Sequence, residues 1–254
     1  MQAHKLPARH GIFWLIAGFR LLRSNPPLLT VLTLGYLFAV VFINLLPVIG
    51  PFLLPLVLPV LAVIVANGCR VAENARIPAT VETLTRGLRE RGTPLLRLGG
   101  LHLLGSVTIL GISMVVEGGP VSLASLDQGK EDEVLAAMLR MLAIATPAIM
   151  AFWFAPLLTA WDDVTPIKSV FFSFVASWRN WRAFAAYGLA VALGAVAIPG
   201  LLLIVAGLIS PFLLQVLSVA LRMVLVFVGA PVMMASVYLS YQDVFHSASI
   251  HEEA

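Results

Sequence analysis

The amino-acid sequence predicts an all-α integral membrane protein: six transmembrane helices in three hairpin-like pseudo-repeats, each preceded by an amphipathic helix in the cytoplasmic interface. Three observations predict it. Of 254 residues, 60% are hydrophobic and 11% charged, against about 25% charged in an ordinary soluble domain, and mean hydropathy is +0.97. Six stretches are long and apolar enough to span a bilayer. The basic residues gather in alternate links. A water-soluble globule is excluded, because so few charges could not cover its surface.

The six spans fall at about 28–48, 51–69, 94–116, 136–160, 182–207 and 212–241. Short links at Pro47–Pro51 and Ile209–Pro211 make helices one and two, and five and six, antiparallel neighbours. The longer link on that side runs from Glu117 to Glu133. Prolines recur inside the even spans, at Pro51, Pro55, Pro59, Pro147, Pro156 and Pro231. Each removes a backbone hydrogen bond, so kinks are expected. Residues 1–254 read as a single membrane domain, with pseudo-repeats at about 11–69, 79–160 and 166–241 and a tail at 242–254.

Orientation follows from Lys and Arg. The N-terminal segment holds Lys5, Arg9, Arg20 and Arg23; the second link holds Arg70, Arg76, Arg86, Arg89, Arg91 and Arg97; the fourth holds Lys168, Arg179 and Arg182. The opposite side holds Lys130 and an acidic group of Glu117, Asp127, Glu131, Asp132 and Glu133. Both termini are therefore expected on the cytoplasmic side of the membrane. The interrupted apolar run Ile12–Leu22 lacks a small-residue cleavage site and does not read as a cleavable signal.

Each odd span is preceded by an amphipathic pattern: Phe13, Trp14, Ile16, Phe19 and Leu22; Val81, Leu84 and Leu88; and Ile167, Val170, Phe171, Phe174 and Trp178. Apolar residues at helical spacing make one greasy face, and basic residues at its margin suit the headgroup layer. Arg20, Arg23, Arg86, Arg89, Arg91, Lys168, Arg179 and Arg182 are the expected headgroup contacts. Helix-start signals follow at Asn25-Pro26, Thr93-Pro94 and Asn180-Trp181. The second spacing exceeds the first by about the length of the Glu117–Glu133 link, so one insertion relates three copies.

The polar groups of the apolar layer are few. Arg222 falls within the sixth span, where a guanidinium costs about 2.5–3.5 kcal/mol on insertion scales. Gln215, Ser218, Arg222, Gly229, Met233, Ser236 and Ser240 share a stripe expected to face the bundle interior. Gly99, His102, Ser106, Ser113 and Glu117 form a second stripe, and Glu117 is a candidate counter-ion for Arg140 or Arg222. Arg222, Gln215, Ser218, His102, Glu117 and Arg140 are thus the candidate intramembrane polar site, against a bland reading as buried pairs that fix helix register. Trp161 reads as a belt anchor, and Asp163 or Thr165 as a cap for the helix that Pro166 opens.

Cys69 stands alone, which excludes an internal disulfide, and no Cys/His cluster suggests a metal. Phosphate-binding, dinucleotide-binding and hydrolase motifs are absent, so no catalytic residue and no cofactor is assigned. The basic links suit anionic lipid better than nucleic acid.

The run Ala155-Pro156-Leu157-Leu158-Thr159-Ala160-Trp161-Asp162-Asp163, with Pro166, Phe171-Phe172-Ser173-Phe174 and Ser177 through Arg182, resembles a family of uncharacterised proteobacterial six-span integral membrane proteins. Gly18-Phe19-Arg20 with Asn25-Pro26 fits as well. More remotely, the layout looks like the membrane domain attached to some glycerophosphodiester phosphodiesterases, without the phosphodiesterase domain. The resemblance implies an inner-membrane protein and transfers no functional residue. Taken together, the expected role is a non-enzymatic scaffold, accessory subunit or lipid-contacting factor, whose partners are anionic lipids and a protein in the membrane. The alternative is a small-solute or ion transporter with Arg222 facing an internal polar cavity. A weaker third is a lipid-modifying enzyme using Asp162 and Asp163.

Overall fold

The structure is a computed structural model that describes residues 3–74, 76–117 and 131–246. Those residues are helical throughout, apart from turns and links. The first helix, α1 (Arg9–Ser24), is followed by a hairpin of α2 (Pro26–Asn44) and α3 (Gly50–Glu73). A one-turn α4 (Val81–Leu84) leads into α5 (Leu88–Glu117); α6 (Glu131–Trp153) and α7 (Ala155–Trp161) make up the returning span. Then come α8 (Pro166–Arg179) and a long hairpin: α9 (Trp181–Ala192) and α10 (Ile198–Ile209) going out, α11 (Pro211–Val224) and α12 (Ala230–Phe245) coming back. Six segments are long and apolar enough to cross a membrane: Pro26–Asn44, Gly50–Glu73, Val81–Val116, Leu135–Trp161, Trp181–Ile209 and Pro211–Phe245. These overlap the six stretches expected from hydropathy. The acidic link at 118–130 and the tail at 247–254 lie outside the described residues.

Prolines shape the spans in two ways. Pro55 and Pro59 sit inside α3, which remains one helix. In the fourth span the helix breaks at Phe154, two residues before Pro156. There the Ser173 hydroxyl enters the ladder: it accepts from the Phe154 N–H at 2.9 Å and donates to the Met150 carbonyl at 2.7 Å, bridging the i to i−4 pair that the break opens. In the third hairpin, π-helical turns at Leu193–Ala197 and Leu225–Gly229 each end two residues before a proline, Pro199 and Pro231. A proline ring clashes with the carbonyl four residues back, at Ala195 or Phe227, and the wider π turn accommodates it.

The core sits at one end of the bundle. Buried large side chains come from α1 (Trp14), the last turns of α3 (Val63, Cys69), the start of α5 (Leu95, Leu98), the α6–α7 break (Phe154, Leu158) and the last turns of α12 (Tyr238, Tyr241, Val244). Long-range hydrogen bonds tie the same end together. Ser24 donates to the Ala72 carbonyl, Asn67 to the carbonyls of Leu84 and Arg86, and the His4 N–H to the Val244 carbonyl. The N-terminal segment, the second link and the fourth link therefore share one end, here called the basic end. At the other end α10 and α11 pack chiefly on each other, and Ala206 is the one buried residue between them.

The three segments read as interfacial helices differ from one another. α1 has two apolar faces. His10, Gly11, Trp14, Gly18, Leu21 and Leu22 are buried, while Ile12, Ile16 and Phe19 stay exposed. The buried face lies in the groove between α9 and α12, where a Cβ on Gly11 would overlap the Ala183 carbonyl and one on Gly18 would come within 2.7 Å of the Val232 carbonyl. α8 inverts the pattern of a soluble amphipathic helix: Ser169, Ser173 and Ser177 face inward, and Ile167, Phe171, Phe172 and Trp178 face out. The second segment is no single helix. α4 ends after four residues and Gly87 turns the chain with φ +82°. The third span also starts earlier than Thr93-Pro94, at a kink on Arg91, and Pro94 lies inside α5.

Candidate functional site

The polar side chains of the protein converge at the basic end, where the even spans finish on carboxylates held by residues from other elements. Glu73, at the end of α3, accepts from the Tyr238 hydroxyl of α12. Asp162, just beyond α7, accepts from the Tyr241 hydroxyl, and His246 Nε2 lies 3.8 Å from its other oxygen. Asp243, in the last turn of α12, is buried and meets two partners from α1: His10 Nδ1 at 2.6 Å and the Trp14 indole N–H at 2.9 Å. Asp243 is buried, and a buried carboxylate is tolerated where hydrogen bonds satisfy it; Glu73 and Asp162 are more accessible, and all three lock distant segments together.

Trp161 sits at the middle of this network. Its indole N–H donates to Asn67 Oδ1 at 3.2 Å, the Arg70 guanidinium lies 4.4 Å above its ring, and Tyr238 and Tyr241 meet it edge-on. It is thus packed between α3 and α12 rather than standing as a lipid-facing belt residue. Asp163, with φ +60°, pairs with Arg91 across the link. Neither Asp163 nor Thr165 caps α8 with its side chain; the Thr165 carbonyl accepts from the Ser169 N–H. Asn25 does cap α2, accepting from the Leu28 N–H. Asn180 does not cap α9: it accepts from the Leu6 N–H at 2.7 Å and donates to the His4 and Ala176 carbonyls, fastening the N-terminal segment.

The intramembrane candidates whose side chains are described lie on α5 (His102), α6 (Arg140) and α11 (Gln215, Ser218 and Arg222). His102 stacks on Phe152 with ring centroids 4.5 Å apart, and the Ser106 hydroxyl donates to the His102 carbonyl. Ser113 is buried on the same helix. The second stripe thus faces α3 and α6, as Gly99 against Leu56 also indicates. The first stripe splits: Ser236 and Ser240 are buried near the basic end, but Gln215 and Arg222 are exposed on the outer surface of α11, with Ser218 half-buried. Among the described residues α11 packs chiefly on α10, so its polar face is left on the outer surface. Arg140 is exposed on α6. Glu117 ends α5, and its side chain lies outside the described residues. Among the described residues no group of three His, Cys, Asp or Glu could hold a metal.

Of the expected headgroup contacts, Arg20, Arg23, Arg86, Arg89, Lys168, Arg179 and Arg182 are exposed and Arg91 is half-buried on Asp163. Arg182 lies over the Trp181 ring at 5.6 Å. Arg86 and Arg89 line a polar cleft of about 480 Å³ at the α4–α5 corner, which Glu82 and Glu90 share. The aromatic and carboxylate pairings were not visible from spacing, since the partners lie 79 to 233 residues apart.

Six apolar helices closed at one end by a polar network define a multi-pass integral membrane protein. A probable inner membrane protein of Burkholderia thailandensis is 37% identical over 212 residues, covering 76% of this chain and 77% of that one. The chain belongs to that protein's family and is an inner-membrane protein. No protein-family profile matches it, and no solved structure does.

Proposed function

We propose that the protein is a non-enzymatic membrane platform, a scaffold or accessory subunit that contacts anionic lipid through its basic end, and that this end and both termini face the cytoplasm. One observation carries the reading. Glu73, Asp162 and Asp243 at the basic end are each engaged by a tyrosine, tryptophan or histidine, while Arg20, Arg23, Arg86, Arg89, Lys168, Arg179 and Arg182 are exposed. A catalytic centre needs reacting groups open to a substrate; here the polar centre is spent on joining segments, and the free charge is left for the surface. A cation surplus beside the bilayer suits the anionic inner leaflet, at about 1 kcal/mol per basic side chain near the surface. The outward greasy face of α8 supports insertion in the headgroup layer.

A transporter would need Arg222 on an internal path, and its outward placement favours the platform. The test is purification in native lipid, with quantitation of the surrounding lipid and of co-purifying proteins. The expected result is an anionic-enriched lipid shell that falls toward the bulk composition in a Lys168→Gln/Arg179→Gln/Arg182→Gln variant, and a protein partner retained in the wild type. A lone protein in lipid of bulk composition would refute it, as would solute flux in proteoliposomes that Arg222→Ala abolishes.

A further inference from the structure

The π-helical turns of the third hairpin face each other across an apolar groove of about 440 Å³, floored by α1. Leu15 and Phe19 of α1 form the floor, Gly194 and Ala195 one wall, and Val228 and Gly229 the other. Its size falls within the ~300–1,000 Å³ range of ligand sites, and π turns recur at functional positions because they change helix width locally. No charged or hydrogen-bonding side chain lines it. Its lining lies within or against the membrane spans Trp181–Ile209 and Pro211–Phe245.

Its surroundings indicate the occupant. Leu15, Phe19 and Arg23 are spaced i, i+4, i+8 and so share one side of α1. The floor of the groove therefore runs into Arg23, with Arg20 beside Phe19. Both arginines are exposed, and neither has a carboxylate partner among the described residues. Ser24, the next residue, donates to the Ala72 carbonyl at the end of α3. That contact ties this end of α1 to the end of α3, at the basic end, while Gly194 and Gly229 lie within the spans Trp181–Ile209 and Pro211–Phe245. An apolar slot whose floor continues to two exposed guanidiniums without a carboxylate partner among the described residues matches a molecule with one long apolar limb and one anionic head.

We infer that this groove holds one anionic phospholipid, an acyl chain lying between the two π turns and the phosphate at Arg20 and Arg23. The lipid completes the floor-and-walls packing of α1 against the third hairpin. This deepens the lipid-contacting part of the proposed function, which concerns the shell as a whole, whereas the inference concerns a single retained molecule.

The experiment is native mass spectrometry of the full chain after delipidation in detergent and re-addition of phosphatidylglycerol or phosphatidylcholine. The wild type is expected to retain one phosphatidylglycerol and to discriminate against phosphatidylcholine. Gly229→Leu and, on the opposite wall, Gly194→Leu fill the slot and should each lower occupancy roughly tenfold. Gly111→Leu, on α5 where an added Cβ meets nothing, serves as the matched control and should retain the lipid. Arg20→Gln/Arg23→Gln should keep a lipid but lose the preference for phosphatidylglycerol. Equal retention in the wild type and both groove variants would overturn the inference, as would equal binding of the two lipids by the wild type or a lipid-free dimer in the spectrum. If Gly194→Leu fails to fold, Gly229→Leu alone decides. A shell of bulk composition around a protein that still holds one phosphatidylglycerol would sink the platform reading and leave this inference standing.

Discussion

The basic end and the far half of the third hairpin are built from the same apolar alphabet and behave as opposites. At the basic end α1, α3, α7 and α12 interlock through the buried Asp243 carboxylate, indole N–H groups and close glycine contacts. In the far half α10 and α11 have essentially each other, and Leu208, Ile209 and Phe212 are more than two-thirds exposed. The difference teaches where specificity resides in a membrane protein. Lipid tails are as apolar as leucine, so burying leucine against leucine gains little, and unique packing comes from close backbone approach and satisfied polar pairs. Both devices are concentrated at one end.

The comparison can be broken hardest at Gly11. A valine there meets the Ala183 carbonyl, which as backbone cannot yield cheaply, so α1 should leave its groove at a cost of about 3 kcal/mol or more. Thermal unfolding in detergent should show that loss, and Gly111→Val, in open space, should not. Next comes Asp243→Ala, which removes the acceptor of His10 and Trp14 from a buried site and should cost about 1.5–3 kcal/mol. Ser173→Ala leaves the Phe154 N–H without its acceptor, while Ser177 still donates to the Met150 carbonyl at 3.3 Å, so the loss should be about 1–2 kcal/mol by the same measurement. The far half supplies the smallest effect. Leu208→Ala, at a side chain 83% exposed, should change stability by no more than about 0.5 kcal/mol. A large effect there would mean that the tip is packed and the contrast false.

Hydropathy and loop charge made the six spans and the shared basic links legible, because a bilayer imposes length and composition directly. Two kinds of feature stayed hidden. Apolar periodicity cannot separate a face that meets protein from one that meets lipid, so α1 reads as one greasy stripe although Trp14 is buried and Phe19 is exposed. The spacing of the α8 serines likewise does not reveal that Ser173 bridges Phe154 to Met150. Long-range pairing is the other. Asn180 matches a helix cap by position, yet its amide is taken by Leu6 and His4, contacts that local spacing does not encode. Arg222 was legible as costly, but its exposure on α11, which among the described residues packs chiefly on α10, depends on the whole fold.

Membrane-impermeant thiol labelling tests the account most directly. Cys69 is buried, so single cysteines introduced at Arg89, Arg179 and Ile209 report on their own positions. The account predicts that 89 and 179 react from the inner face of the membrane and that 209 does not. Labelling of 89 and 179 from opposite faces would contradict it, since the hydrogen bonds that join their links could not then form.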